Sequence, residues 1–386
     1  MSVEKLDVFY HDRFVGTLAE ARDRKIAFRY SDSWLRDGFP VSPFSLPLKR
    51  DVFLPKNWHF EGLFGVFADS LPDAWGRLLL SRLLRRNGVE ESGIGMLDRL
   101  AIVGSSGMGA LCYRPEKMLS GGMEAGDLDR LAEECRALLE TSSAGMQDPK
   151  TDAGQLDELY AFGGTSGGAR PKAMISLEGR EWIVKFPAHT NPEEIGRMVY
   201  DYAVCAGRCG ISMAEIRLFP AKRCAGYFGC RRFDRGESGQ RFHMLTAAAL
   251  LELDFRTPSL DYADLMKMAG IFGFGKKDGT EELYRRMCFN VYAHNQDDHA
   301  KNFTWLYDEG EDLWKLSPAY DLTYSRTSFG EQTTTVRGKG RGISDRDLTD
   351  TGRSAGLKES WCRRTADEIR RTVREELGKY LQGGRR

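Results

Sequence analysis

The sequence predicts an α+β protein with two lobes, of which the first is rich in strands and the second is mostly helical. Short alternating apolar and polar runs, typical of half-buried strands, recur through the first 120 residues and again between residues 173 and 186. Beyond residue 190, apolar residues mostly recur at helical spacing instead. At 386 residues the chain is long enough for two or three domains, each with a buried core.

The composition excludes several classes of protein. Hydrophobic residues make up 41% and charged residues 29%, which is ordinary globular usage and fits neither a disordered chain nor a fibrous repeat. Lys plus Arg and Asp plus Glu number 56 each, so the net charge is zero and bulk charge does not hold the chain on nucleic acid. Any contact with a polyanion must therefore be local.

The expected location is the cytoplasm, without a membrane partner. No apolar stretch approaches the roughly 20 residues that cross a bilayer. The first ten residues read as a strand rather than as a secretory signal. The eight cysteines contain no Cys-x-x-Cys pair, so we expect reduced thiols rather than a disulfide or zinc framework.

Turn signals and periodicity divide the chain further. The first part combines strands with one predicted helix from Leu63 to Leu84, and the stretch from Thr141 to Gly154 has the composition of an exposed connector. Two strands, 173–177 and 182–186, flank Glu178-Gly179-Arg180 and should pair as an antiparallel hairpin. We expect three regions, 1–120, 121–235 and 236–386, with helices near residues 192–210, 262–268, 281–293 and 366–381.

The strongest chemical signal is a polar loop directly after a predicted helix. In His294-Asn295-Gln296-Asp297-Asp298-His299-Ala300-Lys301-Asn302, Asp297 and Asn302 are five residues apart. A carboxylate at Asp297 would accept or orient a hydroxyl proton, while the amide oxygen of Asn302 reaches a divalent cation from the same segment. A short hairpin follows, and Asp321 stands where that hairpin returns to its start.

This order of helix, Asp-x4-Asn loop, hairpin and second Asp is the layout of the lower lobe of protein kinases. Mg²⁺ prefers the hard oxygens that Asn302 and Asp321 provide. An isolated Asp-x4-Asn is more often a solvated polar loop, but the matching hairpin and second aspartate favour a phosphoryl-transfer site. The sequence therefore predicts a kinase-like fold that uses ATP and Mg²⁺, with Asp297 catalytic and with Asn302 and Asp321 as metal ligands.

The upper lobe should then supply a phosphate cradle and a lysine. Four glycines between Gly163 and Lys172 would let backbone N–H groups approach phosphate, although the loop matches neither the Walker pattern nor the dinucleotide fingerprint. Lys185 is a charge inside an apolar strand, which is costly without an anionic partner unless the strand is a solvated edge. We predict that ATP contacts Gly164, Thr165, Ser166, Gly167, Gly168, Ala169 and Lys185.

Two other motifs receive structural interpretations. The second glycine cluster, Gly104 to Gly109, is followed by no lysine-bearing strand or metal loop, so we interpret it as a turn. The compact charged segment Arg231-Arg232-Phe233-Asp234-Arg235 falls between the predicted lobes. Its expected role is ion pairing that sets the hinge.

With these residues together, the chain resembles the HipA family, the serine/threonine kinase toxins of type II toxin-antitoxin modules. The resemblance spans most of the chain, and it is specific only when its motifs are taken together. Those motifs are Ser45 to Leu48, Phe67 to Asp73, Gly109 to Leu111, Gly167 to Lys172, Lys185 to Pro187, Arg232 to Arg235, Asp297 to Phe303, and Ser317 to Leu322.

The resemblance implies an ATP- and Mg²⁺-dependent protein kinase of the bacterial cytoplasm, with the site roles given above. It also implies self-phosphorylation on a hydroxyl of the glycine loop, here Thr165 or Ser166. Adding about −2 charge to a loop built to hold phosphate would repel ATP. Family substrates include aminoacyl-tRNA synthetases, and the usual partner is a HipB-like helix-turn-helix antitoxin that binds the kinase and operator DNA.

The chain departs from the family pattern in two places. The helix after Lys185 normally carries a glutamate that pairs with the lysine, and here Glu194 or Asp201 would have to substitute. In the glycine loop, Thr165 stands where some members have serine.

Two other functions stay open from the sequence. Small-molecule phosphotransferases share the Asp-x4-Asn loop. A pseudokinase that acts as an antitoxin-binding co-repressor would fit the missing helix glutamate and the basic segment 326–386, which has 15 Lys or Arg against 9 Asp or Glu.

Overall fold

The protein is described by a computed structural model covering residues 3–117, 127–143, 153–164, 168, 170–188, 193–237, 239–273, 277–327 and 329–382. The chain divides into two compact units. No helix among the described residues is both long and apolar enough to cross a bilayer. Unit 1 comprises Met1–Gly196, Phe219–Leu245 and Ala249–Glu252, and unit 2 comprises Arg197–Leu218, Thr246–Ala248 and Leu253–Arg386.

Unit 1 begins with a five-stranded antiparallel sheet in the order β4-β3-β2-β1-β5. Its strands form because apolar side chains alternate: in β1, Leu6, Val8 and Tyr10 face the core while their neighbours are more exposed. The strands are β1 (Lys5–Tyr10), β2 (Arg13–Glu20), β3 (Ile26–Tyr30), β4 (Val52–Phe53) and β5 (Leu111–Arg114).

The single helix predicted from Leu63 to Leu84 is wrong, because the chain forms two helices there. Pro72 disfavours helical backbone at the residue before it, and Asp73 restarts the chain as an N-cap in extended conformation. A further helix, α4, was not predicted. The helices are α1 (Trp34–Asp37), α2 (Gly65–Ala68), α3 (Ala74–Arg86) and α4 (Met96–Val103), with a 3-10 turn at Glu91–Gly93.

The predicted hairpin of unit 1 is confirmed. Glu178 and Gly179 both have positive φ, 54° and 73°, which is the two-residue turn whose twist suits antiparallel strands. The sheet has the order β6-β7-β9-β8, and helices pack on it through a shared apolar core. The strands of this sheet are β6 (Lys172–Leu177), β7 (Arg180–Lys185), β8 (Ile216–Phe219) and β9 (Tyr227–Arg231), and the helices before it are α5 (Leu128–Ser143) and α6 (Ala153–Gly163).

Unit 2 is mostly helical, as predicted, and the structure changes the bounds of the predicted helices. Those expected at 262–268, 281–293 and 366–381 are longer than predicted, whereas the one expected at 192–210 is shorter. The last helix begins at Glu359 because its buried stripe, which includes Ile369 and Val373, starts earlier, at Cys362. The remaining elements of the chain are α7 (Ile195–Arg208), β10 (Met244–Thr246), α8 (Ala247–Leu250), α9 (Tyr262–Phe272), α10 (Asp278–Tyr292), β11 (Thr304–Asp308), β12 (Leu313–Leu316), α11 (Asp345–Ser354) and α12 (Glu359–Gln382), with a 3-10 turn at Ala300–Asn302.

Candidate active site

The polar loop of unit 2 starts at the end of α10, where buried asparagines fix its path. Ala293 caps the helix and His294 turns the chain with a positive φ of 54°. Asn295 is buried, and its side-chain amide donates to Asn290 Oδ1 at 3.0 Å. The loop therefore leaves the helix in one defined direction, with Asn290 of α10 as the anchor.

Asp297 follows on the exposed side of this anchor, and its backbone is held from two directions. Its N–H donates to Ser325 Oγ at 3.0 Å, and that hydroxyl donates to Asn295 Oδ1 at 3.0 Å. The Asn302 side-chain amide donates to the Asp297 carbonyl at 2.7 Å. Because the Asn302 nitrogen is used to close the loop, its amide oxygen is the atom suited to a cation.

Asp298, the next aspartate, has a different role. Its carboxylate is buried and accepts hydrogen bonds from the Tyr262 hydroxyl at 2.7 Å, the Thr333 and Thr334 N–H groups at 3.0 Å, and the Gln332 side chain at 3.1 Å. Burial raises the pKa of Asp298 to about 7, and these hydrogen bonds oppose the rise. The spacing to Asn302 selects Asp297 and gives Asp298 no role, since only the fold reveals that Asp298 points inward.

Asp321 stands beyond the β11–β12 hairpin, at the end of a braced segment. The Ser317 N–H donates to the Thr304 carbonyl at 2.8 Å, and the buried Arg286 guanidinium donates to the Ser317 carbonyl at 2.6 Å. Asp321 itself is half-buried with a φ of 58°, a left-handed conformation that aspartate tolerates better than most residues. The hairpin and the second aspartate thus occur where the sequence predicted them.

The two ends of the hairpin are tied together next to the predicted metal ligands. The Tyr320 hydroxyl lies 2.5 Å from the Lys301 carbonyl and 2.6 Å from the Thr304 hydroxyl. Tyr320 and Lys301 are the immediate neighbours of Asp321 and Asn302, so this contact draws the two candidate ligands toward one end of the hairpin.

Asn302 and Asp321 suit an Mg²⁺ ion that takes only some of its ligands from the protein. Within the described part of the chain, no group of three or more His, Cys, Asp or Glu side chains is placed to hold a metal ion. An ion at Asn302 and Asp321 would have one carboxamide and one carboxylate from the protein. Mg²⁺ commonly takes its remaining ligands from water and substrate phosphates, so these two residues could hold it together with a nucleotide.

In unit 1, Lys185 ends β7 directly opposite Lys172 of β6. Lys172 is buried, with 6% of its surface exposed, and the Lys185 ammonium lies 6.0 Å from the centre of the Phe228 ring. The register places both lysine side chains on the same face of the hairpin, where two cations could bind one anion together. Sequence reasoning missed Lys172, although the two-residue turn at Glu178 and Gly179 fixes a register that pairs it with Lys185.

The glycine loop is described only at its ends. Gly164 follows α6, with its N–H donating to the Tyr160 carbonyl at 2.8 Å. Gly168 has a φ of 85°, and its N–H donates to the Asp73 carboxylate at 2.8 Å. The other predicted ATP contacts in the loop, Thr165, Ser166, Gly167 and Ala169, lie outside the described residues.

Of the two acids proposed as substitutes for the missing helix glutamate, Asp201 is engaged within unit 2. Its carboxylate accepts hydrogen bonds from Arg197 at 2.8 Å, Lys379 at 2.9 Å and the Tyr380 hydroxyl at 2.7 Å. Glu194 is exposed just before α7. Asp201 is therefore a poor substitute for the glutamate that pairs with the strand lysine in the family pattern.

The Arg-Phe-Asp-Arg segment has ion pairs inside unit 1, so its interpretation as a hinge is corrected. Asp234 is fully buried and pairs with Arg232 at 2.8 Å and Arg235 at 2.7 Å, while accepting the Gly109 N–H at 2.8 Å. Burial alone would raise the pKa of Asp234, but the two guanidinium groups hold it well below its usual range. Arg235 also donates to the Gly107 and Gly109 carbonyls, so this glycine cluster is a turn.

The mixed α/β fold, the Asp-x4-Asn loop and the hairpin with its aspartate define a kinase-like protein. Residues 6–114 match the model of the HipA N-terminal domain, and residues 164–377 match that of the HipA-like C-terminal domain. The second match alone covers more than half of the chain. The chain belongs to the HipA family, and both the resemblance and the fold class predicted from the sequence are confirmed.

Individual relatives agree with this assignment. A Sinorhizobium fredii protein named "Putative kinase Y4mE" is 24% identical over 352 residues, covering 83% of this chain and 77% of its own. The structure of a Shewanella oneidensis toxin-antitoxin complex of HipA, HipB and operator DNA matches with a TM-score of 0.69 at 16% identity, covering 98% of this chain and 91% of the other. At this identity the structural match establishes the fold.

Proposed function

We propose that this HipA-family protein is an ATP- and Mg²⁺-dependent serine/threonine protein kinase and the toxin of a toxin-antitoxin module. The observation that carries the proposal is the closure of the polar loop by the hydrogen bond from Asn302 to the Asp297 carbonyl. This bond uses the amide nitrogen and fixes the backbone of the aspartate, as a loop that serves both nucleophile and metal requires.

In the proposed reaction, the Asp297 carboxylate orients the acceptor hydroxyl and takes its proton. The hydroxyl oxygen forms a bond to the γ-phosphorus as the bond to the β–γ bridging oxygen breaks, and ADP leaves. Lys185 and Lys172 would hold the phosphates, since the β6–β7 register brings two cations to the same face of the hairpin. Asn302 and Asp321 would hold Mg²⁺, which when bound would neutralise negative charge on the β- and γ-phosphates.

Regulation and partners form the finer part of the proposal. Transfer to Thr165 or Ser166 would place a dianion in the loop that receives ATP, and would therefore silence the enzyme. A HipB-like antitoxin and operator DNA are proposed as partners because the Shewanella oneidensis HipA structure contains both. Three further parts of the proposal rest on the sequence and the family resemblance. They are an aminoacyl-tRNA synthetase as the target, a cytoplasmic location, and the division of the chain into three regions.

The class of acceptor is tested with γ-labelled ATP, Mg²⁺, the purified protein and a heat-treated cell extract. We expect label on Ser or Thr of protein, located by mass spectrometry. Label found only in small molecules would instead identify a small-molecule phosphotransferase. Asp297→Ala should lose this labelling, and Asp308→Ala is its matched control. Asp308 pairs with Lys315 at the far end of the hairpin, so its replacement should leave transfer unchanged.

One observation favours a second candidate, a pseudokinase that binds antitoxin without transferring phosphate. Asp201 is held by Arg197, Lys379 and Tyr380, so it is poorly suited to replace the missing helix glutamate. Calorimetric titration with ATP in the presence of Mg²⁺ separates the two candidates. Micromolar binding supports the kinase, and absence of binding supports the pseudokinase.

A further inference from the structure

The N-terminal end of α3 is capped by an unusual partner. Asp73 occupies the N-cap position, where an aspartate ordinarily accepts a hydrogen bond from the first turn of its own helix. In this helix no such side-chain bond forms. The Asp73 carboxylate instead accepts the N–H of Gly168, 95 residues further along the chain, at 2.8 Å.

The contact is reciprocal, because Gly168 returns a hydrogen bond to the same helix end. Its carbonyl accepts the N–H of Trp75 at 3.3 Å, and this is one of the first-turn donors that a helix leaves without an internal partner. Asp73 and Gly168 therefore cap each other, as the two side chains of a capping box do within one helix. Gly168 has a φ of 85°, which favours glycine at this position.

The same helix end also touches the other limit of the glycine loop. A Cβ atom added at Gly76 would lie 2.3 Å from the Gly164 carbonyl oxygen, so only glycine permits this approach. The Trp75 indole N–H donates to the Lys172 carbonyl at 3.3 Å, where β6 begins. The first turn of α3 thus contacts the residues that enter and leave the loop.

We propose that Asp73 is a positioning residue of the nucleotide site, because it fixes Gly168, the described residue through which the glycine loop leads toward Lys172 and β6. The inference rests on the proposed function, because it assigns phosphate binding to this loop. It adds that the segment matching the HipA N-terminal domain supplies the loop's anchor, so this domain is part of the nucleotide-binding machinery. Asp73 acts through Gly168 and does not itself contact ATP.

The test compares ligands with and without phosphates. In Asp73→Ala the Gly168 N–H loses a charged acceptor, so we expect ATP to bind about tenfold more weakly while adenosine binding changes less than about twofold. Asp73→Asn keeps an oxygen acceptor and should recover most of the ATP affinity. A purely structural role for Asp73 would weaken both ligands together, and that result, or unchanged ATP binding in Asp73→Ala, would overturn the proposal.

Asp129→Ala is the matched control, because the Asp129 carboxylate also accepts a backbone N–H in unit 1, that of Lys222 at 3.1 Å, away from the glycine loop. It should leave the ratio of ATP to adenosine affinity unchanged. Hydrogen exchange at Gly168 tests the anchor without nucleotide. Faster exchange is expected in Asp73→Ala and not in the control, and unchanged exchange would refute the anchor. If the wild-type protein binds no ATP, the proposed function fails instead, and exchange still decides whether the anchor exists.

Discussion

The Asp297 loop of unit 2 and the glycine loop of unit 1 are stabilised in opposite ways. The Asp297 loop is closed from within by Asn302, five residues away, and is braced by the nearby Ser325. The described ends of the glycine loop are anchored by α3, whose Asp73 is 95 residues from Gly168. A loop that closes on itself leaves its signature in a short stretch of sequence, whereas a loop held from a distance does not.

The largest expected effect tests the long-range anchoring of unit 1. Asp234→Ala leaves Arg232 and Arg235 as buried charges without their main partner, and should lower the free energy of unfolding by about 3–5 kcal/mol. Denaturant unfolding measures this. A loss below about 1 kcal/mol would mean that these ion pairs do not fix the Gly107–Gly109 turn.

The next effect separates the two roles of Asn302. Asn302→Ala removes both the proposed cation ligand and the brace on Asp297, and should reduce phosphoryl transfer by about 100-fold or more. Asn302→Asp keeps an oxygen ligand but loses the N–H donor to the Asp297 carbonyl. Added Mg²⁺ should therefore restore the part of the transfer rate that depends on the metal, and not the part that depends on the brace. Rates measured against Mg²⁺ concentration check this. Equal, Mg²⁺-independent rates in the two variants would contradict a ligand role.

A smaller effect concerns the lysine pair in unit 1. Lys172→Gln should weaken ATP binding about tenfold by removing one cation from the phosphate site. Without nucleotide the same variant should unfold at about the same temperature as the wild type, because Gln keeps a polar side chain of similar length at this buried position. Calorimetric titration and thermal unfolding provide the two readings. A fall in thermal stability with ATP affinity unchanged would show that Lys172 serves the fold alone.

Taken per pH unit, the smallest effect is the pH dependence of stability from Asp298. Its pKa is raised by burial from 3.8 to about 7 in the folded protein, so the folded state binds more protons than the unfolded state between these values. The contribution to stability is therefore present below pH 4 and lost as pH rises toward 7, by at most about 1.4 kcal/mol per pH unit. Asp298→Asn should flatten this slope in denaturant unfolding between pH 4 and 7. An unchanged slope would assign the titration to another group.

The sequence predicted the local structure around Asp297 and Asp321 well because its signals are local. The helix period before Asp297, the spacing to Asn302 and the turn before Asp321 lie within one short segment, and the described structure has each in place. The family motifs were also readable, and their combination identified the HipA family correctly.

What the sequence did not reveal depends on tertiary contacts. Nothing near Asp73 indicates that its carboxylate leaves its own helix to bind Gly168. The hinge interpretation of the Arg-Phe-Asp-Arg segment failed because Asp234 pairs with a glycine turn 125 residues away, and a charge pattern does not reveal such a partner. Asp298 received no role because nothing in the sequence around it indicates that the fold buries its carboxylate.

The central claim, that this HipA-family protein transfers phosphate with Asp297, is tested most directly by the rate at which the purified protein consumes the γ-phosphoryl group of ATP. The account predicts that Asp297→Ala retains no more than about one hundredth of the wild-type rate while it still binds MgATP, because the aspartate acts on the acceptor hydroxyl. Equal rates for Asp297→Ala and the wild-type protein would contradict it.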